Sequence, residues 1–340
     1  MDKSRRQGVQ RAMSKVPLTF ACGLYDRVLP IATGAVPVEG VDLNFVNIDS
    51  PREIFDRMSG GLEFDACEYS SSEFISRFAA GHCPFVALPV FPSRSFRHGF
   101  IAVNRRFIRT PKDLEGKRIG LPMYTMTASI FIKGLLAHDC GVDLSKVQWV
   151  EGQINGAERH GNPTTMPLVR PVAIERNNSG RSLSELLEDG AIQAVIGTSM
   201  PEALGRNPDV VRLFPDFRDA EKDYYRRTRI FPIMHLVVIR RDVHERHPFL
   251  ASSLYNALGA AKDHALAKMR IPASLRYMLP WLAADLEEID EVFGGDPWPY
   301  GIEPNRPTLE ALVQYLHDQG LIGAPIAIDD LFVPVHGGNQ

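Results

Sequence analysis

The chain has 340 residues and a formal net charge of -3 at pH 7, with 44% hydrophobic and 23% charged residues. This composition is ordinary for a globular protein, and the length suits two domains or one large domain. A nearly neutral chain lacks the broad basic face that nucleic acid and anionic membranes require, so we expect neither partner. No run of 18 apolar residues occurs, and no membrane span is predicted.

The cysteine pattern and the N-terminal segment indicate where the protein works. The four cysteines are widely spaced without a C-x-x-C pair, which argues against a zinc knuckle or a thioredoxin-like motif and favours reduced thiols. Residues 1–16 are polar and lack the apolar region of a secretory signal. We therefore expect a polar N-terminal extension on a cytoplasmic protein.

Strands and helices alternate in the first third of the chain. Apolar or alternating runs predict strands at 18–23, 41–48, 64–70, 85–92 and 98–104. Ser50 is predicted to cap a helix, with Pro51 at its first position and Glu53 completing a capping box. A second helix is expected after residue 70.

A second unit is predicted from Thr110, where Pro111 and Asp113 repeat the capping pattern. Strands at 117–122 and 147–152 enclose an amphipathic helix that ends at Gly141. Next come a capping box formed by Ser182 and Glu185, a helix, a glycine stop and an apolar strand.

The last third is predicted to contain a strand at 230–243, mostly helix up to Leu282, a Pro-rich loop at 294–307 and an amphipathic helix at 308–322. The alternating elements indicate an α/β fold with two lobes, each a mostly parallel sheet flanked by helices, with a ligand cleft between them. The predicted organisation is a polar extension at 1–16, a discontinuous first lobe at 17–108 plus 231–340, and a second lobe at 109–230.

Several long segments resemble the 4,5-dihydroxyphthalate decarboxylase family. They are LTFACGLYDRVLPI, EFDACEYSSSEFISR, FVALPVFPSRSFRHGFIAVN, PKDLEGKRIGLPMYTMTASIFIKGLL and DYYRRTRIFPIMHLVVIRRDVHERHP, within a similarity that runs from about Leu18 to Gly320. The resemblance implies a type 2 periplasmic-binding-protein-like fold, a carboxy-lyase activity in aromatic catabolism and a small aromatic dicarboxylate as the molecule bound.

The stretch FPSRSFRHGF concentrates Arg94, Arg97 and His98 beside an apolar strand. Neighbouring phenylalanines favour a half-buried loop, and a buried guanidinium needs a partner such as a carboxylate. The alternative is a solvated loop in which the arginine stems cover apolar surface. We interpret Arg94 and Arg97 as substrate-binding, without knowing which of them faces the ligand, and His98 as catalytic.

Two strand-to-helix junctions supply further candidates. Tyr124, Thr125 and Thr127 lie where free N–H groups at a helix start face the cleft, and either threonine is expected to cap that helix. Ser70 and Ser71 end the strand at 64–70, and strand ends of this kind line the ligand crevice. All five residues are predicted to bind substrate.

Three further residues complete the predicted site. Glu68 could take a proton from a substrate hydroxyl or orient His98. His235 is either a core histidine or a catalytic group at the cleft edge. Arg227 is assigned to substrate binding. The HERH sequence lacks the spacing of zinc proteases, and no dinucleotide, Walker A or serine-hydrolase motif occurs.

The resemblance implies non-oxidative decarboxylation of 4,5-dihydroxyphthalate to protocatechuate and CO2. A hydroxyl lies para to each carboxyl-bearing carbon and supports protonation of the ring, so no organic cofactor is required. A divalent metal held by His98, His235 and Glu68 is an alternative. Two other functions stay open: a solute-binding protein for an aromatic dicarboxylate, or a decarboxylase of a related hydroxylated aromatic acid. We also expect a homo-oligomer.

Overall fold

The structure is a computed structural model that describes residues 15–156, 163, 165–271 and 275–337, so most of the predicted extension at 1–16 lies outside the described residues. Its strands are β1 (Val16–Cys22), β2 (Val41–Asn47), β3 (Ala66–Ser70), β4 (Phe85–Arg94), β5 (Ile101–Asn104), β6 (Arg118–Leu121), β7 (Gln148–Glu151), β8 (Ile174–Arg176), β9 (Ala194–Ile196), β10 (Val210–Arg212) and β11 (Ile233–Arg240).

The α-helices lie between these strands and after the last of them. They are α1 (Leu29–Ala32), α2 (Pro51–Gly61), α3 (Ser71–Ala79), α4 (Thr127–His138), α5 (Leu183–Asp189), α6 (Phe217–Thr228), α7 (Arg241–Arg246), α8 (Phe249–Met269), α9 (Leu282–Phe293) and α10 (Arg306–Asp318). None of the helices in the described part of the chain is long and apolar enough to cross a membrane.

Two sheets form the two lobes. The first has the order β2-β1-β3-β11-β4, in which β11 runs antiparallel to both neighbours. The second has the order β10-β5-β9-β6-β7-β8, in which β5 runs antiparallel to both neighbours. Every other strand of each sheet points one way, so the prediction of two mostly parallel sheets in an α/β fold is confirmed.

The reversed strands mark the crossings between the sheets. Strand β5 pairs with β9 and β10, which places Ile101–Asn104 in the second sheet, whereas the predicted first lobe extended to residue 108. The crossing therefore lies at 95–100 and the return lies just before β11. The two crossing segments touch, because the N–H of Ser95 donates to the carbonyl of Pro232 at 3.2 Å.

Several local predictions need correction. The predicted strand at 98–104 begins only at Ile101, because the N–H of Phe100 donates to the carbonyl of Arg97 and closes a 3-10 turn over His98–Phe100. The predicted helical stretch up to Leu282 is interrupted, since α8 ends at Met269 and 275–281 form turns.

Capping predictions had mixed outcomes. The Ser182–Glu185 capping box heads α5, and Gly190 ends that helix with a φ of 80°. The Thr110–Asp113 capping box is also present, but it heads a single 3-10 turn.

The last helix, α10, packs on α3 of the first lobe and on α4 of the second lobe. Its closest approach is at Gly134, where an added side chain would overlap the ring of Tyr315. Contact this close requires glycine, because a well-packed interior leaves no room for another carbon atom. Helix α10 thus packs against one helix of each lobe beside the candidate site.

Candidate active site

The centre of the candidate site is a carboxylate–imidazole pair at adjacent strands. On β11, His235 lies opposite Ser70 of β3, and Val237 lies opposite Glu68. Because side chains alternate along a strand, Glu68, Ser70 and His235 share one face of the sheet. The Nδ1 atom of His235 lies 2.5 Å from Oε1 of Glu68. Glu68 is fully buried, whereas 17% of the His235 side chain is exposed.

Three other groups donate hydrogen bonds to Glu68. The hydroxyl of Tyr25 lies 2.8 Å from Oε1, and the N–H of Gly23 and the thiol of Cys22 lie 3.2 Å and 3.4 Å from Oε2. Burial alone would raise the pKa of Glu68, but His235 and these donors bring it below its ordinary value. Glu68 is therefore an anion at neutral pH.

Cys22 is the last residue of strand β1, and Gly23 and Tyr25 come shortly after it. None of the three is predicted as a site residue from the sequence. The carboxyl end of β1 lies beside β3 in the sheet. The same rule that predicts Ser70 and Ser71 as site residues, that ligands bind at the carboxyl ends of parallel strands, could have found them.

A cluster of hydroxyl groups joins the two lobes next to this pair. The hydroxyls of Ser70 and Thr127 lie 3.1 Å apart, and Thr127 also donates to the hydroxyl of Ser72 at 2.9 Å. The hydroxyl of Ser72 donates to the carbonyl of Thr125 at 2.8 Å. The hydroxyls of Ser71 and Thr125 are buried and have no hydrogen-bond partner among the described residues.

This cluster corrects the predicted cap of α4. The residue at the cap position is Met126, which has no side-chain cap, and Thr127 is the first residue of the helix. The hydroxyl of Thr127 bonds to the start of α3 in the other lobe instead of to its own helix. Ser70 does cap its helix, because its hydroxyl accepts from the N–H of Glu73. The two helix starts, each with partial positive charge, thus meet at the cluster.

Tyr124 is held by the second lobe. Its N–H donates to Glu151 at 2.6 Å, its carbonyl accepts from the buried Nζ of Lys133 at 2.9 Å, and its hydroxyl donates to the carbonyl of Gln319 at 3.4 Å. Burial raises the pKa of Tyr124 to about 12. These contacts position the turn before α4, and its predicted contact with substrate stays a prediction.

The predicted arginine pair is buried without a hydrogen-bonded carboxylate partner among the described residues. Arg94 donates to the side-chain oxygen of Asn305 and to the carbonyl of Pro299, and burial lowers its pKa to about 9. Arg97 lies over the ring of Phe100, and burial lowers its pKa to about 10 despite the nearby Glu221. Both are still charged at neutral pH. In each, Nε has no partner among the described residues.

His98 and Arg227 contact neither Glu68 nor His235 within the described residues. The ring of His98 packs against Phe214 and Tyr224, and its Nδ1 is 3.9 Å from Glu221. Burial lowers the pKa of His98 to about 4, so the ring is neutral near pH 7. The Arg227 side chain is 50% exposed and forms ion pairs with Asp139 and Asp223.

The predicted metal alternative requires Glu68, His235 and His98 to meet. The structure joins the first two and places His98 against α6. No group of three His, Cys, Asp or Glu side chains that could hold a metal ion is found among the residues that the structure describes.

Comparison with known proteins identifies the family. No family model matches the chain. A 4,5-dihydroxyphthalate decarboxylase from Comamonas testosteroni is 36% identical over 324 residues, which cover 95% of this chain and 98% of the relative. The chain belongs to the 4,5-dihydroxyphthalate decarboxylase family. A second protein of that name, from Pseudomonas putida, is 39% identical over 63% of this chain and 83% of its own length. The prediction of a carboxy-lyase of this family is confirmed.

Solved structures show the fold of this decarboxylase family member. The periplasmic aliphatic sulphonate-binding protein SsuA from Escherichia coli matches with a TM-score of 0.53 and 12% identity, over 94% of this chain and 98% of its own. The alkanesulfonate-binding protein SsuA from Xanthomonas axonopodis pv. citri, bound to MOPS, matches with a TM-score of 0.50 and 12% identity, over 95% and 99%. The predicted periplasmic-binding-protein-like fold is thus confirmed.

Proposed function

We propose that this chain decarboxylates 4,5-dihydroxyphthalate to protocatechuate and CO2 without oxidation. Two relatives that carry this activity in their names support the substrate. The observation that carries the chemistry is the pair of Glu68 and His235, an ionised buried carboxylate against a partly exposed imidazole.

The reaction needs a proton at the ring carbon that bears the departing carboxylate. Direct loss of CO2 would leave an aryl anion with no group to accept its charge. Protonation forms a carbon–hydrogen bond first, and the hydroxyl para to that carbon stabilises the resulting charge. The carbon–carbon bond then breaks, its electron pair restores the aromatic ring, and CO2 leaves. One proton is consumed in total.

We assign the delivery of this proton to His235. Its Nδ1 faces the Glu68 carboxylate, which is the counter-ion for a protonated imidazole, and Nε2 has no partner among the described residues. His98 is the other histidine that the sequence places in a catalytic role beside the arginines. A buried ring with a pKa of about 4 has almost no proton to give near neutral pH, so His98 is the weaker candidate.

The hydroxyl cluster is the proposed contact for a substrate carboxylate. Ser70 and Thr127 lie at the starts of α3 and α4, where unpaired N–H groups and the helix dipole favour an anion. The buried hydroxyls of Ser71 and Thr125 add two donors without partners among the described residues. These contacts would orient the aromatic ring against His235.

Incubation of the purified protein with 4,5-dihydroxyphthalate tests the proposal. We expect stoichiometric CO2 and protocatechuate, detected by gas analysis and chromatography. Tight binding without product would overturn the proposal in favour of a solute-binding protein. Turnover of a related hydroxylated acid, but not of this diacid, would overturn the substrate assignment. Metal analysis, with activity measured before and after chelation, tests the metal alternative.

A further inference from the structure

Arg27 lies beside the catalytic pair and was not nominated from the sequence. It follows strand β1 by five residues, and its guanidinium lies between two aromatic rings. The guanidinium carbon is 4.4 Å from the ring centre of Tyr25 and 4.5 Å from that of Trp298. Both rings are anchored, because Tyr25 donates to Glu68 and the indole N–H of Trp298 donates to the carbonyl of Phe91 at 2.8 Å. The plane of the guanidinium is thereby fixed.

Hydrogen bonds hold part of the guanidinium and leave the rest open. Nε of Arg27 donates to the carbonyl of Pro92 at 2.6 Å, and Nη1 donates to Asp26 at 3.0 Å. Nη2 has no hydrogen-bond partner within the described ranges, and 18% of the side chain is exposed. A planar guanidinium that is already oriented loses little freedom when it binds a carboxylate.

The charge of Arg27 acts directly on the surroundings of Glu68. It opposes the burial-driven rise in the pKa of both Cys22 and Tyr25, the two side chains that donate to the Glu68 carboxylate. Tyr25 contacts both groups, because its ring lies under the guanidinium and its hydroxyl donates to the catalytic carboxylate. Substrate held by Arg27 would therefore lie beside His235.

Arg27 differs from the two arginines that the sequence analysis favoured. Arg94 and Arg97 are 7% and 8% exposed, and Arg94 already donates to two neutral oxygens. All three arginines have an N–H group without a partner among the described residues, but only Arg27 is partly exposed. Of the three, Arg27 is therefore the arginine that a diffusible substrate reaches most readily.

We propose that Arg27 binds the carboxylate that the substrate retains, and so makes the site selective for aromatic acids that keep a carboxylate after the reaction. This inference rests on the proposed function for the identity of the retained group. A phthalate has two adjacent carboxylates of which one leaves. When Arg27 binds the retained carboxylate, the ring is fixed. The departing carboxylate then has no arginine bound to it that would oppose its loss as CO2.

Calorimetric binding of three ligands to wild type and R27Q tests the proposal without requiring turnover. The ligands are phthalate, protocatechuate, which has only the retained carboxylate, and catechol, which has none. R27Q should weaken the first two about 30- to 100-fold and leave catechol within about twofold, because a charge-assisted contact is lost. Unchanged phthalate affinity, or an equal loss for catechol, would overturn the proposal. Unchanged protocatechuate affinity would also overturn it, since Arg27 would then hold the departing group.

Further variants distinguish a specific loss of binding from a loss of folded protein. R27K keeps the charge without the planar fork and should recover part of the affinity, and W298F should weaken phthalate only about fivefold. R118Q is the matched control, because Arg118 is a partly exposed arginine paired with Glu175 on the second sheet, and its binding should equal that of wild type. If wild type binds phthalate but releases no CO2 from 4,5-dihydroxyphthalate, the proposed function is wrong. The binding comparison of wild type with R27Q still tests the role of Arg27 in that case.

Discussion

The Glu68–His235 pair and the Arg94–Arg97–His98 stretch are both buried and rich in charge, yet their surroundings differ. Glu68 receives three donors and a histidine, and His235 keeps part of its ring exposed. Arg94, Arg97 and His98 lie mostly among neutral or aromatic groups, with Glu221 near the last two, and burial lowers the pKa of all three.

The difference shows that the density of charge in a sequence does not identify the reacting groups. Burial without a hydrogen-bonded counter-ion moves a cation toward its neutral form, whereas burial beside donors keeps a carboxylate ionised. A reacting group also needs an atom that the substrate can reach. Of these two regions, the Glu68–His235 pair is the one that combines both features.

The largest expected effect is that of H235Q. Removal of the proton donor should lower kcat about a thousandfold with a KM close to that of wild type, because the general acid acts in the transition state. Steady-state kinetics with 4,5-dihydroxyphthalate measures this, and thermal melting checks the fold. A variant with kcat within tenfold of wild type would show that His235 is not the donor.

E68Q should lower kcat about a hundredfold, since glutamine keeps the contact but loses the charge that stabilises a protonated His235. KM should stay within about threefold of the wild-type value, because the loss is in the protonation step and not in binding. Steady-state kinetics of the two proteins gives the comparison. A rise in KM without a fall in kcat would contradict this role of Glu68.

The pH dependence of stability provides a second readout for Glu68. Its pKa is lower in the folded chain than the ordinary value of 4.5, so the charge stabilises the fold fully above that value. The stabilisation is lost as pH falls through the lowered pKa. The difference in free energy of unfolding between wild type and E68Q should therefore shrink as pH falls below 4.5, as urea titrations would show. A difference independent of pH would contradict the assignment.

T127V should raise KM about tenfold with a smaller change in kcat, because one hydroxyl of the carboxylate contact between the lobes is lost. T125V removes a second hydroxyl assigned to the same contact, one without a partner in the described ranges, and should raise KM to a similar extent. An equal KM for T127V and wild type would remove the cluster from the binding site.

The smallest effect on turnover is expected for H98A, with kcat within about threefold of wild type. The free energy of unfolding should fall by about 2 kcal/mol, because the contacts of the ring with Phe214 and Tyr224 are lost. Kinetics and urea unfolding measure the two quantities. A thousandfold loss of kcat would instead show that His98 is catalytic, as its sequence context suggests.

Sequence patterns determined by neighbouring residues were predicted well. The capping box at Ser182 and Glu185, the strand that ends at Ser70 and the alternation of strands and helices all follow from local hydrogen bonding and side-chain periodicity. The start of β5 was misplaced, because a turn hydrogen bond between Phe100 and Arg97 competes with the strand.

Site residues that are far apart along the chain could be predicted one by one, but the contacts between them could not. Glu68 and His235 were both candidates, yet only the insertion of β11 between β3 and β4 brings them together, across 167 residues of sequence. Arg94 likewise meets Asn305 from 211 residues away, which occupies one Nη group of a side chain that the sequence suggests as a substrate ligand. Nothing in the residues around Arg27 marks it as a site residue, because the Trp298 ring that covers one face of its guanidinium is 271 positions further along the chain.

By itself, the sequence determined the family, the α/β class and the local elements, because these depend on residue type and short spacing. Only the tertiary structure decided which charges are paired, which are merely buried and which remain open to a ligand. The physical reason is that pKa and accessibility depend on desolvation and on partners contributed by distant strands. Neither can be derived from the spacing of residues along the chain.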